Sequence, residues 1–272
     1  MRERIVILTG SDIQHRYVAR ALADLPGLLA IVVTEQPHPS FIKRVRRARK
    51  RFGLGGMLSR ALLKLILRVT GETSRRQADL ARVLGEPKLP ENVPLFRTIG
   101  VNSEQTQALL RRLAPDILCV YGTYIVSDAT LSIASQVALN LHTGISPRYR
   151  GADCEFWPLH EREPNFVGAT VHACTSDLDG GAVYGTATAK LVAEDSIGAV
   201  FGRCVVAGSA LYKRVVDNLI STREINSFSQ DLSAGKEYKV AMRGWRAEFK
   251  VARLIRHGLI RDHVNHQSNQ GS

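Results

Sequence analysis

Three residues carry side chains that suit the transfer of an acyl group to an amine, namely Asn140, His142 and Asp179. An amide can donate a hydrogen bond to a developing oxyanion, and an imidazole can shuttle protons. A carboxylate can hold that imidazole in its working tautomer. Each residue alone is weak evidence, but the ordered set is rare because a Pro-Arg-Tyr-Arg-Gly turn at 147–151 lies between its members. The spacing therefore favours acyl transfer.

A repeated strand–turn–helix pattern must position these side chains. Apolar runs predict strands at 5–8, 28–33, 116–120, 137–141, 167–172 and 187–191, and helices at 18–25, 104–113 and 197–219. This alternation predicts a mostly parallel sheet with helices on both faces. Ligands of such sheets bind at the carboxyl ends of strands, where Gly10, Gly122 and Asn140 fall. We expect residues 1–222 to form one such domain.

An insertion at about 37–73 carries much of the formal net charge of +12. Its basic run indicates either an acidic partner or a solvated loop. The run comprises Lys43, Arg44, Arg46, Arg47, Arg49, Lys50 and Arg51. A helix is predicted at 57–70 and has two interpretations. It binds the surface of an anionic membrane, or it packs its apolar face on the domain or on a second subunit. The second interpretation is favoured, because packed helices far outnumber membrane-associated ones.

The remaining composition predicts a cytoplasmic protein without a metal. The four cysteines lack metal-like spacing, and Cys119 and Cys204 lie in apolar runs as reduced thiols do. Neither a signal peptide nor a membrane-spanning apolar stretch is visible. Residues 223–272 are predicted to be an extension that packs on the core, with a disordered tail from 265.

Four segments carry a resemblance to a known family. They are 115–122, 140–151, 168–172 and 177–181, and together they resemble the 10-formyltetrahydrofolate-dependent formyltransferases. That family includes enzymes that formylate glycinamide ribonucleotide, methionyl-tRNA and nucleotide-linked amino sugars. The resemblance implies a Rossmann-like formyltransferase fold, with 10-formyltetrahydrofolate as the formyl donor.

The resemblance also implies roles for individual residues. Asn140 would stabilise the oxyanion, His142 would help to move the amine proton, and Asp179 would orient His142. The folate would lie near Tyr124, Ile125 and Val126, with the loop containing Ser176 and Asp177 on its other side. Gly10, Ser11, Arg150 and Trp157 would face the acceptor, although Arg150 could instead pin the loop at Pro147 and Trp157 also suits a core aromatic. His172 matches a histidine often seen in the family, or simply ends a strand.

The acceptor is predicted to be a nucleotide-linked amino sugar used in surface polysaccharide synthesis, and the protein a homodimer. Asp12 stands in the loop where a ribonucleotide phosphate would bind, which argues against glycinamide ribonucleotide. A methionyl-tRNA formyltransferase is the alternative, since its basic insertion resembles this one, but its C-terminal domain is larger than residues 223–272. A non-catalytic folate- or anion-binding descendant is a further alternative.

Overall fold

Apolar, mostly β-branched runs form the strands of the protein. The structure is a computed structural model, which describes residues 3–36, 41–175, 179–222 and 226–270. Its strands are β1 (Ile5–Thr9), β2 (Leu28–Glu35), β3 (Leu95–Ile99), β4 (Ile117–Tyr121), β5 (Val137–His142), β6 (Tyr149–Gly151), β7 (Gly168–Ala173), β8 (Val183–Thr188) and β9 (Lys236–Tyr238). Seven of them pair in the order β3-β2-β1-β4-β5-β7-β8. The first five are parallel and the last two antiparallel, which confirms the predicted mostly parallel sheet.

Helices cover both faces of this sheet. The α-helices of the described chain are α1 (Ile13–Ala21), α2 (Phe41–Val69), α3 (Glu72–Leu84), α4 (Glu104–Leu113), α5 (Asp128–Leu131), α6 (Trp157–His160), α7 (Ile197–Thr222), α8 (Trp245–Arg256) and α9 (Leu259–Gln270). Alternate side chains of β1 point to opposite faces. Ile5 and Ile7 therefore pack in one core with α1 and α7, whereas Val6 and Leu8 pack in another with α4.

The strand order reverses at β1, which pairs with β2 on one side and with β4 on the other. The carboxyl ends of β1 and β4 lie side by side, and the Thr9 hydroxyl donates to the Tyr121 carbonyl at 2.9 Å. Ligand sites in open α/β sheets form at such reversals. We therefore expect a ligand site in the loops after β1, β4 and β5.

Several predicted elements have different bounds in the structure. The predicted helix at 57–70 is the second half of α2, which bends at Gly53 where φ is 66°. The sequence does not predict the strand β3 or the helix α3, because β3 has only two consecutive apolar residues before Arg97 and Thr98, and α3 is mostly polar. Strand β8 spans Val183–Thr188 rather than 187–191, since it pairs in register with β7 directly after the turn at Gly181.

The C-terminal segment packs on the core through β9 and two helices. Strand β9 pairs in parallel with β6, and Tyr238, Val251 and Ile260 join a buried cluster with Tyr149. Helix α9 continues to Gln270, with Ile260 buried near its start, so the described part of the predicted tail is helical, and residues 271 and 272 lie outside the described residues. Within the described residues, no helix is long and apolar enough to cross a membrane.

Candidate active site

Asn140 and His142 lie two residues apart on β5, so that both side chains project from the same face of the strand. The antiparallel partner β7 places His172 directly opposite Asn140. Nδ1 of His172 donates to the Ala173 carbonyl at 2.8 Å, so the other ring nitrogen, Nε2, is the one that faces Asn140 and Asp179. That nitrogen lies 3.2 Å from Nδ2 of Asn140. His172 therefore orients the amide of Asn140.

Asp179 connects the two histidines. Its Oδ2 lies 3.4 Å from Nδ1 of His142, and its Oδ1 lies 3.4 Å from Nε2 of His172. The backbone N–H of Gly151 donates to Oδ2 at 2.8 Å. Asp179 has a φ of 50°, a left-handed conformation that Asp tolerates better than most residues. We call Asn140, His142, His172 and Asp179 the Asp179 cluster.

The charges of this cluster follow from its burial and its contacts. Burial alone would raise the pKa of Asp179, but His142, His172 and the Gly151 N–H outweigh it and lower that pKa to about 2. Burial lowers the pKa of His142, and the nearby Asp179 carboxylate opposes this effect. His142 is thus neutral at neutral pH, and Asp179 is ionised.

The hydrogen bonds of His142 identify its proton-accepting atom. Nε2 lies 3.0 Å from the Tyr149 carbonyl and donates to it, so the neutral ring has its lone pair on Nδ1. Nδ1 is the atom that faces Asp179. A proton taken up there converts the contact into an ion pair. The geometry therefore stabilises an imidazolium once it forms.

A cavity of about 240 Å³ opens beside this cluster. Its lining is mostly apolar and comprises Val120, Thr123, Tyr124, Ile125, Val126, Leu131, Asn140, His172, Cys174, Thr175 and Asp179. The predicted folate residues Tyr124, Ile125 and Val126 are thus brought to the predicted catalytic residues. Ser176 and Asp177 lie outside the described residues. His142 lies behind the lining, and its contact with the cavity runs through Asp179.

Asn102 shapes the wall of this cavity rather than capping the helix that follows it. Its Nδ2 donates to the Ile125 carbonyl at 2.9 Å, and its Oδ1 accepts from the Ser127 N–H at 2.8 Å. The cap of α4 is Ser103 instead. Asn102 thus fixes the loop after β4, in which the side chains of Tyr124 and Ile125 are exposed to solvent.

The residues predicted to face the acceptor lie in different surroundings. Gly10 and Gly122 both adjoin His15, and a Cβ on Gly10 would lie only 2.5 Å from Nδ1 of that ring. The Ser11 carbonyl accepts from Arg16 at 2.7 Å. These glycines permit the close approach of the two loops.

Trp157 and Arg150 are held by the C-terminal segment. Trp157 is buried in the core, where its ring stacks on Tyr238 at 4.5 Å and its Nε1 donates to the Ala152 carbonyl. The structure does not bring it to the cavity. Arg150 donates to the Leu232 carbonyl at 3.2 Å, and its buried Nε has no partner among the described residues.

Gln230 holds the turn of Asp179 from the other side. Its Nε2 donates to the Asp179 carbonyl at 2.9 Å and to the Gly181 carbonyl at 2.6 Å. Sequence reasoning missed this residue, because it lies far along the chain and in the C-terminal segment, where the family resemblance ends. The loop that carries Asp179 is thus held at two points. The Gly151 N–H binds the side chain of Asp179, and the Gln230 side chain binds the backbone carbonyls of Asp179 and Gly181.

A second charged group lies next to the first, on the other side of the loop that follows β6. Arg243 binds Asp153 and Glu248, each at 2.8 Å, and lies 3.7 Å from Glu155. Arg76 binds Glu248 at 2.8 Å. Burial, together with the neighbouring Asp153, raises the pKa of Glu155 to about 7 despite Arg243. We call Arg76, Asp153, Glu155, Arg243 and Glu248 the Arg243 cluster.

A second cavity, of about 470 Å³, lies against the Arg243 cluster. Its wall contains Ala152, Asp153 and Glu248 together with Arg60, Lys64, Arg76 and Arg243. Basic side chains therefore outnumber acidic ones in that wall. Across the ranges that the structure describes, no group of three His, Cys, Asp or Glu side chains is arranged to hold a metal ion.

Comparisons with known proteins identify the family of the chain. The family model described as formyl transferase matches residues 62–216, which is more than half of the chain. A methionyl-tRNA formyltransferase of Mycobacterium sp. (strain KMS) is 28% identical over 164 residues, which are 60% of this chain and 53% of that protein. The chain thus spans about half the length of the curated relatives it matches.

Solved structures share the fold. A sugar N-formyltransferase from Shewanella sp. FDAARGOS_354 has a TM-score of 0.53 and 13% identity, covering 93% of this chain and 87% of that one. A glycinamide ribonucleotide transformylase from Symbiobacterium toebii has a TM-score of 0.53 and 18% identity, covering 85% and 95%. At these identities the likeness concerns the fold alone. On the family match, the chain belongs to the formyl transferase family, whose formyl donor is 10-formyltetrahydrofolate.

Proposed function

We propose that the protein is an N-formyltransferase that moves the formyl group of 10-formyltetrahydrofolate to the primary amine of a nucleotide-linked amino sugar. Such a product would serve surface polysaccharide synthesis. One observation carries the proposal, namely the convergence of Asn140, His172 and Asp179 on a cavity lined by Tyr124 to Val126. A binding module would have no need of an oriented amide beside an ion-pairing imidazole.

The cavity beside the Asp179 cluster suits the flat ring system of the donor. Apolar side chains from β4, from the loop after it and from α5 line most of the space. Asn102 holds the backbone of the loop after β4, so that its N–H and C=O groups lie at fixed positions. Small-molecule sites combine an apolar wall with a few fixed polar groups in this way.

The side chains can then perform each proton and charge movement of the transfer. The donor supplies an amide-bonded formyl carbon that an amine nitrogen can attack. Asn140 donates to the formyl oxygen as negative charge develops, and such a donor contributes about 3–4 kcal/mol of transition-state stabilisation. The Asp179–His142 pair takes the amine proton, which rests on Nδ1 of His142. The pair returns this proton to the departing folate nitrogen as the bond from that nitrogen to the formyl carbon breaks.

Two features support a nucleotide-linked acceptor. The loop after β1 presents the exposed carboxylate of Asp12, which opposes a phosphate at that position. The 470 Å³ cavity lies on the other side of Ala152, next to Gly151, which donates to Asp179. Arg60 and Lys64 in its wall offer positive charge to a diphosphate.

A methionyl-tRNA formyltransferase is the second candidate. It is favoured by the names of the curated relatives and by the basic residues of α2. A non-catalytic descendant is disfavoured because the Asp179 cluster is intact. A homodimer and a cytoplasmic location remain predictions from the sequence.

The proposal is tested by the release of tetrahydrofolate from 10-formyltetrahydrofolate in the presence of candidate amines. The panel comprises GDP-, UDP- and dTDP-linked amino sugars, initiator methionyl-tRNA and glycinamide ribonucleotide. We expect turnover with at least one amino sugar, and its loss in Asn140→Ala. Turnover on the tRNA alone would establish the second candidate. Binding of folate without turnover on any amine would contradict both enzymes.

A further inference from the structure

The outer face of α2 is an aliphatic stripe that no other part of the described chain covers. Six large side chains are exposed there, and their spacing places them within about a third of the helix circumference. They are Leu54, Leu58, Leu62, Leu65, Ile66 and Val69. We call them the α2 stripe. Solvent-exposed apolar groups that are contiguous mark an interaction site, unlike scattered single ones.

The opposite face of α2 already has its partners. Arg60 donates to the Val240 carbonyl at 2.7 Å, and Leu63 and Leu67 face the 470 Å³ cavity. The α2 stripe therefore stays exposed while the helix is anchored to the domain. A partner can bind the stripe without any rearrangement of the site.

The charge of α2 restricts what that partner can be. From Phe41 to Val69 the sequence has ten basic residues and no acidic one. They are Lys43, Arg44, Arg46, Arg47, Arg49, Lys50, Arg51, Arg60, Lys64 and Arg68. The bend at Gly53 separates a basic first half from an aliphatic second half. Arg46, Arg49 and Lys50 are exposed in the first half.

We propose that α2 binds the surface of a membrane that contains anionic lipids. The α2 stripe would enter the boundary between headgroups and acyl chains, while the basic half contacts the headgroups. The helix would lie in the plane of the membrane. The aliphatic half has 16 residues from Leu54 to Val69, or about 24 Å, and crosses no bilayer.

Other occupants fit these observations less well. A symmetric contact between two copies of the α2 stripe would bring two helices of like charge together, which costs free energy. Nucleic acid would match the charge, but the stripe carries leucines and no aromatic ring on which a base could stack. Only an anionic lipid surface matches both the charge and the aliphatic side chains.

Flotation of the full chain with lipid vesicles tests this proposal. The vesicles contain phosphatidylcholine alone or a mixture with phosphatidylglycerol. The test variant Leu58→Gln/Leu62→Gln removes two side chains that are 66% and 57% exposed. The control variant Ile99→Gln/Phe249→Gln removes two that are 59% and 68% exposed on other surfaces. Neither variant touches the Asp179 cluster, so turnover of a water-soluble acceptor should be unchanged in both.

We expect the wild-type chain and the control variant to float with the anionic vesicles and to float less with the neutral ones. The test variant should partition at least about tenfold less, since it lacks two of the apolar side chains that would leave water for the membrane. Equal flotation of test variant and wild type would overturn the proposal, as would no flotation at all. A dimer that the test variant converts to a monomer would also overturn it, by assigning the stripe to a second copy. Loss of tRNA binding in the test variant would assign it to nucleic acid.

Discussion

The two charged clusters beside the loop at 149–155 contain buried carboxyl groups with opposite behaviour. Asp179 meets two imidazoles and a backbone N–H, and its pKa falls to about 2. Glu155 shares one arginine with Asp153 and Glu248, and its pKa rises to about 7. Burial acts in the same direction on both groups. The number of donors and cations available to each carboxyl decides the result.

On the proposed function, the Asp179 cluster transfers a proton, whereas the Arg243 cluster joins segments of the chain. The Asp179 cluster holds an ionised carboxylate next to a neutral imidazole, which is the arrangement needed to take up a proton. The Arg243 cluster instead joins α3, the loop after β6 and α8, because Arg76 and Arg243 both bind Glu248. It keeps the C-terminal segment on the loop whose Gly151 positions Asp179.

The largest effect is expected in the Asp179 cluster. Asp179→Asn removes the charge that stabilises the imidazolium of His142, so kcat/KM for tetrahydrofolate release should fall by about 10³. The pKa of His142 should fall further, since Asp179 is the group that raises it. Imidazole titration by NMR measures this shift. Asp12→Asn, which changes an exposed carboxylate, should leave the pKa of His142 unaltered. Activity of Asp179→Asn within threefold of wild type would contradict the assignment.

The next effect concerns the stability of the Arg243 cluster. Arg243→Met leaves the buried carboxyls of Asp153, Glu155 and Glu248 without their shared cation, which should cost about 3–5 kcal/mol of unfolding free energy. Urea unfolding measures this change. Arg246→Met replaces an exposed arginine three residues further along, in the first turn of α8, and should cost less than about 1 kcal/mol. Equal stabilities of the two variants would show that the cluster does not hold the segment.

The pH dependence of stability should distinguish the two clusters. The pKa of Glu155 is about 7 in the folded protein and ordinarily 4.5, so the unfolded chain releases this proton first. Its contribution to stability is therefore present below pH 4.5 and lost as the pH rises through about 7. The pKa of Asp179 is shifted in the opposite direction, from 3.8 to about 2. Its contribution to stability is therefore lost as the pH falls through this range. In Glu155→Gln the decline in unfolding free energy between pH 5 and 8 should disappear. A decline that persists in this variant would assign it to another group.

The smallest effect is expected at Gln230, a positioning residue. Gln230→Ala removes both hydrogen bonds to the turn of Asp179, so kcat should fall about tenfold, with little change in KM. The pH profile should also shift, because the distance from Asp179 to His142 would no longer be fixed. Ser229→Ala, at the exposed neighbour, is the control. An unchanged pH profile with lower stability alone would reduce Gln230 to a structural role.

The sequence predicts those parts of the fold and site that depend on local pattern. The apolar runs predict the strands β1, β4 and β5 directly. Because side chains alternate along a strand, the sequence also predicts that Asn140 and His142 project from the same face of β5. The contacts of Gln230 with Asp179 and of Arg243 with Asp153 join residues 51 and 90 positions apart, so no local pattern reveals them. Trp157 could suit either a site or a core. Its stacking on Tyr238 depends on the β6–β9 pairing, which the sequence does not indicate.

The central claim is that the Asp179 cluster carries out formyl transfer, and His142 tests it most directly. The measurement is tetrahydrofolate release from 10-formyltetrahydrofolate with the accepted amine, comparing wild type with His142→Ala. Near-UV circular dichroism checks that the variant is folded, and His142→Asn keeps a hydrogen-bonding group in the space. We predict a loss of at least about 10² in kcat for both variants. Turnover equal to that of the wild type in folded His142→Ala would contradict the mechanism.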